Sequence, residues 1–194
     1  MTVEPHDALR ERLQQLIGTP IASAGRSVNE VNRPMIAHWV DAFCDFNPLY
    51  QDEAFARSTR HGDIIAPPAM MPVWTMPRPK LDAESVRGGY TTEVETHGPL
   101  ALLDEGGYIG NVMTNSEMEF ERELRLGDQV NSNAHLESVS ARKKTSLGPG
   151  YFISFVATFT NQHGNVVGRQ RSTLFKFNPV STAEPTESAA GAAP

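Results

Sequence analysis

Cysteine and long apolar runs are both scarce in this sequence of 194 residues. Its one cysteine, Cys44, excludes an intrachain disulfide and also a zinc site made of cysteines alone. No apolar run approaches the roughly 20 residues of a membrane-spanning helix, and the first residues show neither the basic nor the apolar region of a signal peptide. These absences predict a cytoplasmic protein without a membrane-spanning segment.

Positive charge is also in short supply. The chain has 17 Lys and Arg against 23 Asp and Glu, and the net charge of −6 at pH 7 argues against a general nucleic-acid surface. No two of its six histidines have the spacing of metal ligands on a helix, so we predict no metal site. We predict one globular domain over residues 1–179 and a disordered tail over residues 180–194, because the tail has almost no apolar bulk.

Apolar residues recur at helical spacing in the first part of the chain. The pattern predicts a packing helix over residues 5–17 and a second helix that starts between residues 27 and 32 and carries Asp45 at its C-terminal end. A short helix over residues 52–58 has Asp52 as a suitable N-cap. Residues 21–27 are a candidate for a first strand.

The second part of the chain changes to a period of two, which is typical of strands. Glycine-containing and polar turns separate four long apolar segments, so the pattern predicts an antiparallel meander and an α+β fold. The third segment is apolar on both faces and should be the central strand. The predicted strands cover residues 111–120, 129–139, 151–160 and 166–177.

An apolar helix is predicted between these two parts, over residues 66–76. It is apolar almost all round and should be buried, and Pro72 with the prolines that follow Met76 limits it to about two turns with a kink. Residues 80–107 are polar and contain several glycines, which is typical of a functional lid or mobile segment. A short central helix beside such a segment leaves room for a large ligand.

Two stretches between the second helix and this central segment carry the chemistry. The first reads Asp45-Phe46-Asn47-Pro48-Leu49-Tyr50-Gln51-Asp52, and the second runs from His61 to Met70. They resemble the active-site segment of the MaoC-like hydratases, hot-dog-fold enzymes that add water to 2-enoyl thioesters and whose pattern is Asp-x-Asn-Pro-x-His-x-Asp. The chain has Tyr50 where that family has its catalytic histidine. Ala-Pro-Pro followed by Met-x-x-Trp-Thr-Met is similar to the N-terminal domain of the large subunit of actinobacterial steroid-side-chain enoyl-CoA hydratases.

This resemblance implies a hot-dog fold, with an antiparallel sheet wrapped around the central helix. It also implies a hetero-oligomer in which this chain shapes the site for a bulky, steroid-type acyl-CoA while a smaller MaoC-like subunit supplies the catalytic Asp/His pair. Coenzyme A would enter only as part of the substrate, and no cofactor is implied. Two alternatives stay open: a self-sufficient homo-oligomeric hydratase or thioesterase that uses Asp45 with a displaced histidine, His61 or His97, and an acyl-CoA-binding protein without a reaction.

The candidate site residues follow from the same resemblance. Asp45 is the one catalytic candidate, because a phenol such as Tyr50 is a hydrogen-bond donor at neutral pH and almost never a base. Tyr50 either hydrogen-bonds the substrate or fills the space of the missing histidine. The residues expected to contact substrate are Asn47, Tyr50, Ala66, Pro67, Ala69, Met70 and Trp74. A basic cluster that suits CoA phosphates, or is merely a solvated strand end, comprises Arg142, Lys143, Lys144, Arg169 and Arg171.

Overall fold

The structure of the chain is a computed structural model, which describes residues 5–21, 25–76 and 98–179. The predicted tail over residues 180–194 and most of the predicted lid lie outside these residues. In the part of the chain that is described, no helix is both long enough and apolar enough to cross a membrane.

The helices lie mainly in the first part of the chain, and the strands dominate the second. The helices are α1 (Pro5–Gln15), α2 (Arg33–Phe43), α3 (Glu53–Ser58) and α4 (Pro99–Glu105). The strands are β1 (Gly25–Arg26), β2 (Gly110–Phe120), β3 (Asn131–Val139), β4 (Lys143–Thr145), β5 (Gly148–Thr160) and β6 (Val166–Phe177). Each of the four predicted long strands is present with bounds that differ by three residues or fewer.

One antiparallel sheet organises the described residues. Its strands lie in the order β1-β3-β5-β6-β2, and β4 pairs with β5 outside this path. The long strand β5 has neighbours on both sides, β3 and β6, which agrees with its apolar character on both faces. Strand β2 follows β6 at the end of this order and leaves a long sheet edge without a paired strand in the described chain.

The buried side chains form two clusters. The first lies under α2 and the central segment and comprises Val31, Ile36, Val40, Ala56, Ile64, Ala66, Met70, Met71, Trp74, Leu124, Val130, Phe159 and Val167. The second lies where α1 and α4 cover the other part of the sheet and comprises Leu13, Ile21, Leu102, Leu103, Tyr108, Leu136, Val139, Tyr151 and Ile153. The first cluster supports the segments that carry the candidate site.

The central segment is the main departure from the predicted elements. Instead of one helix over residues 66–76, the chain forms two short 3₁₀ turns, Pro68–Met70 and Val73–Thr75. Pro72 explains the break, because it has no N–H to donate to the carbonyl of Pro68, as a continuous α-helix requires. Its residues Ala66, Pro67, Met70, Met71 and Trp74 are nevertheless buried, so the sheet curls around two turns rather than around a helix.

Helix α2 determines where the motif begins. Asn32 caps its start, because the Asn32 side chain accepts a hydrogen bond of 3.0 Å from the N–H of Met35. Its last turn ends at Cys44, whose left-handed backbone (φ 53°) reverses the chain. The N–H of Asp45 then bonds to the carbonyl of Val40 at 3.1 Å, which fixes the exit of the motif from the helix.

Candidate functional site

The motif at residues 45–52 connects α2 to α3, and two of its polar side chains satisfy backbone groups. Asn47 accepts a hydrogen bond of 3.1 Å from the N–H of Leu49 and thereby starts a 3₁₀ turn, Pro48–Tyr50. Asp52 accepts one of 2.9 Å from the N–H of Phe55 and caps α3. Both residues therefore have a structural role that does not depend on any catalytic one.

Tyr50 and Asp45 are the motif residues that remain for chemistry. Tyr50 is half-buried and packs against the first core cluster, whereas Asp45 is exposed. Burial and then the negative charge of Asp45 raise the pKa of Tyr50, while a hydrogen bond with Asn47 opposes them. The phenol is therefore neutral at physiological pH and donates rather than accepts protons.

The start of the central segment offers few hydrogen-bond donors. In the family that this sequence resembles, backbone N–H groups at this point hold the thioester carbonyl. Pro67 and Pro68 have no N–H, and the N–H of Ala66 is bonded to the carbonyl of Leu124 at 2.8 Å. None of the first three residues of the segment therefore has a free backbone N–H.

A cleft opens beside the start of the central segment. It has a volume of about 340 Å³ and lies between the loop that precedes the central segment and the residues that follow β2. We call it the Arg60 cleft. Its lining residues are Arg60, His61, Ile65, Ala66, Pro68, Met71, Phe120, Glu121, Arg122, Glu123, Leu124 and Val167.

His61 is held on both sides in the wall of this cleft. Its Nδ1 lies 3.1 Å from Oε1 of Glu123, and its Nε2 accepts a hydrogen bond of 3.3 Å from Nε of Arg60. The His61 side chain is only 11% exposed. Since both ring nitrogens are engaged, neither is free to take a proton from water.

Glu123 is ionised in this arrangement. Its own backbone N–H lowers the pKa of Glu123 most, burial acts in the opposite direction, and the nearby basic side chains of His61, Arg125 and Arg60 lower it further. Arg125 also donates to the carbonyl of His61 at 2.8 Å and so joins the two sides of the cleft. The polar wall is therefore a connected set of charges rather than isolated groups.

The predicted substrate-contacting residues separate into three groups. Ala66 lines the Arg60 cleft, together with the neighbouring Met71. Pro67, Met70 and Trp74 are buried, and none of them lines the cleft. The exposed Ala69 and the motif residues Asn47 and Tyr50 also lie outside its lining. His97, one of the two displaced histidines considered above, lies outside the described residues.

The predicted basic cluster is likewise divided. Arg169 forms an ion pair with Glu121, and Arg171 forms a two-pronged one with Glu137 at 2.8–3.0 Å. This bond lowers the pKa of Glu137 and raises the pKa of Arg171. The other three basic residues, which are Arg142, Lys143 and Lys144, are exposed at β4 and have no ion pair within the described residues.

Sequence reasoning missed the lining residues Phe120, Arg122 and Glu123. The available signal was the alternation of charged and apolar residues directly after β2, and an isolated bridge between Ile65 and Arg125 brings that stretch against the central segment. Among the described residues, no group of three or more His, Cys, Asp or Glu is arranged to hold a metal ion.

Comparison with known proteins identifies the family. A family profile described as the FAS1-like dehydratase domain region matches residues 15–170. The chain belongs to this family and has its MaoC-like hot-dog domain. A MaoC-like dehydratase from Rhodospirillum rubrum, 16% identical, has the same fold, with a TM-score of 0.55 over 82% of this chain and 94% of that one. The predicted hot-dog fold is confirmed.

Relatives with closer sequences are alpha subunits of hydratases. The chain is 42% identical, over 176 residues, to the probable enoyl-CoA hydratase alpha subunit of Thermomonospora curvata. This match includes 90% of this chain and 53% of that protein. It is 45% identical, over 159 residues, to the 3-oxo-4,17-pregnadiene-20-carboxyl-CoA hydratase alpha subunit of Mycobacterium tuberculosis. That match includes 78% of this chain and 46% of the relative. The chain thus spans about half the length of these relatives.

A solved structure is similar over almost its whole length. A chain in the crystal structure of the ChsH1-ChsH2 complex from Mycobacterium tuberculosis is 35% identical, with a TM-score of 0.73, and the match covers 93% of this chain and 98% of that one. The predicted resemblance to large subunits of heteromeric enoyl-CoA hydratases is therefore confirmed.

Proposed function

We propose that this chain is the substrate-shaping subunit of a heteromeric MaoC-like 2-enoyl-CoA hydratase. A smaller hot-dog partner supplies the catalytic Asp/His pair, and the substrate is a bulky acyl-CoA of the steroid side-chain type. The similarity to two hydratase alpha subunits and to a chain of a solved complex supports a hetero-oligomer, and the relative from Mycobacterium tuberculosis supports this substrate class.

The neutral phenol of Tyr50 carries the proposal. Hydration of a 2-enoyl thioester needs a base that activates water for attack at C3, an acid that protonates C2, and donors at the thioester carbonyl. Tyr50 occupies the position of the base, and its raised pKa makes it unsuitable for that role. The prolines at positions 67 and 68 also remove two donors at the carbonyl position, so the base is missing and the donor set is reduced in this chain.

The free edge of β2 supports a partner that completes the site. The strand is 11 residues long and pairs only with β6 within the described residues. Its exposed apolar side chains include Met113, 51% exposed, and Phe120. A long unpaired edge that exposes apolar side chains is an aggregation hazard unless another chain covers it, and a second hot-dog sheet provides the strand that does so.

The short central segment supports a bulky substrate. Two 3₁₀ turns, which bury Met70, Met71 and Trp74, take the place of a complete helix, and we infer that the shorter segment leaves space for a large acyl group. Apolar space discriminates between acyl groups by the area that it buries, at about 25 cal/mol per Å². A fused-ring acyl group therefore gains more here than a short chain.

The paired His61 and Glu123 favour a second candidate, a self-sufficient hydratase or thioesterase with a displaced histidine. The dyad lies in a cleft beside Ala66, where a thioester would be held. Arg60 occupies the second nitrogen of His61, however, which leaves the imidazole without a free basic atom. The first candidate is therefore the stronger.

Partner-dependent turnover tests the proposal. The full-length chain is purified alone and together with a short MaoC-like protein that has an intact Asp-x-Asn-x-x-His motif, and the loss of enoyl-thioester absorbance is followed with a steroid-type 2-enoyl-CoA. Turnover is expected only in the mixture. Turnover by the chain alone that disappears in the variant His61→Ala contradicts the proposal and establishes the second candidate.

A further inference from the structure

The lining of the Arg60 cleft contains two arginines, Arg60 and Arg122, and two glutamates, Glu121 and Glu123. Of the two carboxylates beside them, Glu121 is paired with Arg169, and Glu123 is held by His61. Arg60 and Arg122 form no ion pair within the described residues, although both are exposed at the cleft. Both guanidinium groups are therefore open to an anionic ligand, and the charge of Arg60 also acts on the nearby Glu123.

Arg60 is held in position by a chain of hydrogen bonds. Glu123 fixes Nδ1 of His61, and Nε2 of His61 accepts the Nε–H of Arg60 at 3.3 Å. This contact uses one of the three guanidinium nitrogens, so the two terminal nitrogens remain for a ligand. A guanidinium whose orientation is fixed loses less conformational entropy when it binds, and its fork geometry matches phosphate oxygens.

The interior of the cleft is apolar beneath this charged opening. Ile65, Ala66, Met71, Leu124 and Val167 contribute apolar side chains to its lining. The volume of about 340 Å³ lies in the range of small-molecule sites, which is about 300–1,000 Å³. A suitable ligand therefore has an anionic end and a long, mostly uncharged arm.

We propose that Arg60 and Arg122 bind the phosphate groups of an acyl-CoA whose pantetheine arm enters the Arg60 cleft and points toward the start of the central segment. This inference rests on the function proposed above, because that function supplies the acyl-CoA. It assigns the phosphate anchor to residues other than the basic cluster at Arg142, Lys143 and Lys144. Those three residues do not line the cleft.

Binding of two acyl thioesters tests the assignment. Octanoyl-CoA, which cannot be hydrated, is compared with octanoyl-pantetheine, which lacks the phosphates, by calorimetric titration of the full-length chain. In the double variant Arg60→Gln, Arg122→Gln, the affinity for octanoyl-CoA should fall by roughly 10- to 100-fold, since two charge-assisted contacts are lost. The affinity for octanoyl-pantetheine should not change.

Two further variants serve as comparison and control. The double variant Arg12→Gln, Arg26→Gln removes the same charge from two exposed arginines away from the cleft and should leave both affinities unchanged. The double variant Arg60→Lys, Arg122→Lys keeps the charge and should recover part of the affinity for octanoyl-CoA. Such a recovery would show that misfolding does not cause the loss of affinity in the glutamine variant.

Three results would overturn the assignment. They are an unchanged affinity for octanoyl-CoA in the glutamine variant at positions 60 and 122, an equal loss for both thioesters, and a selective loss on neutralising residues 142–144 instead. Binding is measured here without turnover and without a partner. The proposed function is tested separately by partner-dependent hydration, so the two proposals can fail independently.

Discussion

The motif at residues 45–52 and the Arg60 cleft differ in what their polar atoms do. In the motif, Asn47 and Asp52 are bonded to backbone N–H groups, and the position of the histidine is taken by a neutral phenol. The cleft takes its wall from the second stretch, which begins at His61, and combines a fixed histidine, the ionised Glu123 and two arginines without an ion pair in the described residues around an apolar space. The motif at residues 45–52 can therefore persist for structural reasons, while the side chains that contact a ligand lie in the Arg60 cleft.

The largest expected effect concerns Gly168, which lies against the cleft residue Met71. A Cβ at this position would lie 2.4 Å from the carbonyl oxygen of Glu119 and 2.6 Å from Sδ of Met71. Gly168→Ala should therefore cost about 1–3 kcal/mol of stability by overpacking, and it should push Met71 into the cleft. Urea denaturation measures the first effect, and octanoyl-pantetheine titration measures the second.

Gly106→Ala is the matched control for Gly168. Gly106 has an ordinary backbone conformation (φ −75°), and its added Cβ would meet the flexible end of Leu9 at 3.1 Å. This substitution should cost less and leave ligand binding unchanged. Equal destabilisation by the two substitutions would mean that Met71 and strand β2 adjust to a side chain at position 168.

Asp52 and Asp45 should differ in the sign of their effect on stability. Asp52→Ala removes the cap of α3 and should cost about 1 kcal/mol, most of which Asp52→Asn should restore. Asp45→Ala removes a negative charge beside the C-terminal end of α2 and should stabilise the chain by about 0.3 kcal/mol or leave it unchanged. If urea denaturation shows a greater loss of stability for Asp45→Ala than for Asp52→Ala, then Asp45 and not Asp52 has the structural role.

The titration of Tyr50 gives a smaller effect. Burial raises the pKa of Tyr50 above its usual value of about 10, and the charge of Asp45 raises it further. Asp45→Asn removes a negative charge that opposes the phenolate, so it should lower the pKa of Tyr50 while leaving it above 10. The difference in tyrosinate absorbance between the chain and its Tyr50→Phe variant isolates this group. A pKa below 10, or a rise in the asparagine variant, would refute the assigned causes.

The smallest expected effect is that of Tyr50→His on partner-independent activity, which should remain absent. An imidazole misplaced by about 1 Å costs roughly 100-fold in rate, and the donors at the carbonyl position stay missing because of Pro67 and Pro68. The hydration assay above, with the variant alone, measures this. The double variant Tyr50→His, Pro68→Gly also restores one backbone donor and is the stricter comparison. Robust turnover by the single variant Tyr50→His would contradict the conclusion that this chain cannot hydrate the substrate alone.

The sheet was predictable because its signals are local. Period-two apolar patterns and hairpin turns predicted strands 111–120 and 151–160, and the structure has Gly110–Phe120 and Gly148–Thr160. The resemblance at Asp45–Asp52 supplied the fold that periodicity alone left undecided. Short motifs of this kind carry such information because few folds use that spacing.

The central segment and the cleft were harder to predict. Residues 66–76 are apolar almost all round, so periodicity did not distinguish Met71, which lines the cleft, from Met70, which does not. Pro72 was read as a kink, but it separates two 3₁₀ turns. Arg60 and Arg122 line the same cleft because the chain around Ile65 lies against the chain around Arg125, a long-range contact that no local pattern encodes.

The turnover rate of the assembled complex tests the central claim most directly. The complex is prepared with the partner and with this chain carrying Asp45→Asn and Tyr50→Phe, and kcat for a steroid-type 2-enoyl-CoA is compared with that of the unmodified complex. If the motif is structural and the partner performs the chemistry, kcat should stay within about threefold. A fall of roughly 100-fold or more, the size expected when a general acid or base is removed, would contradict the claim and make this chain a catalytic subunit.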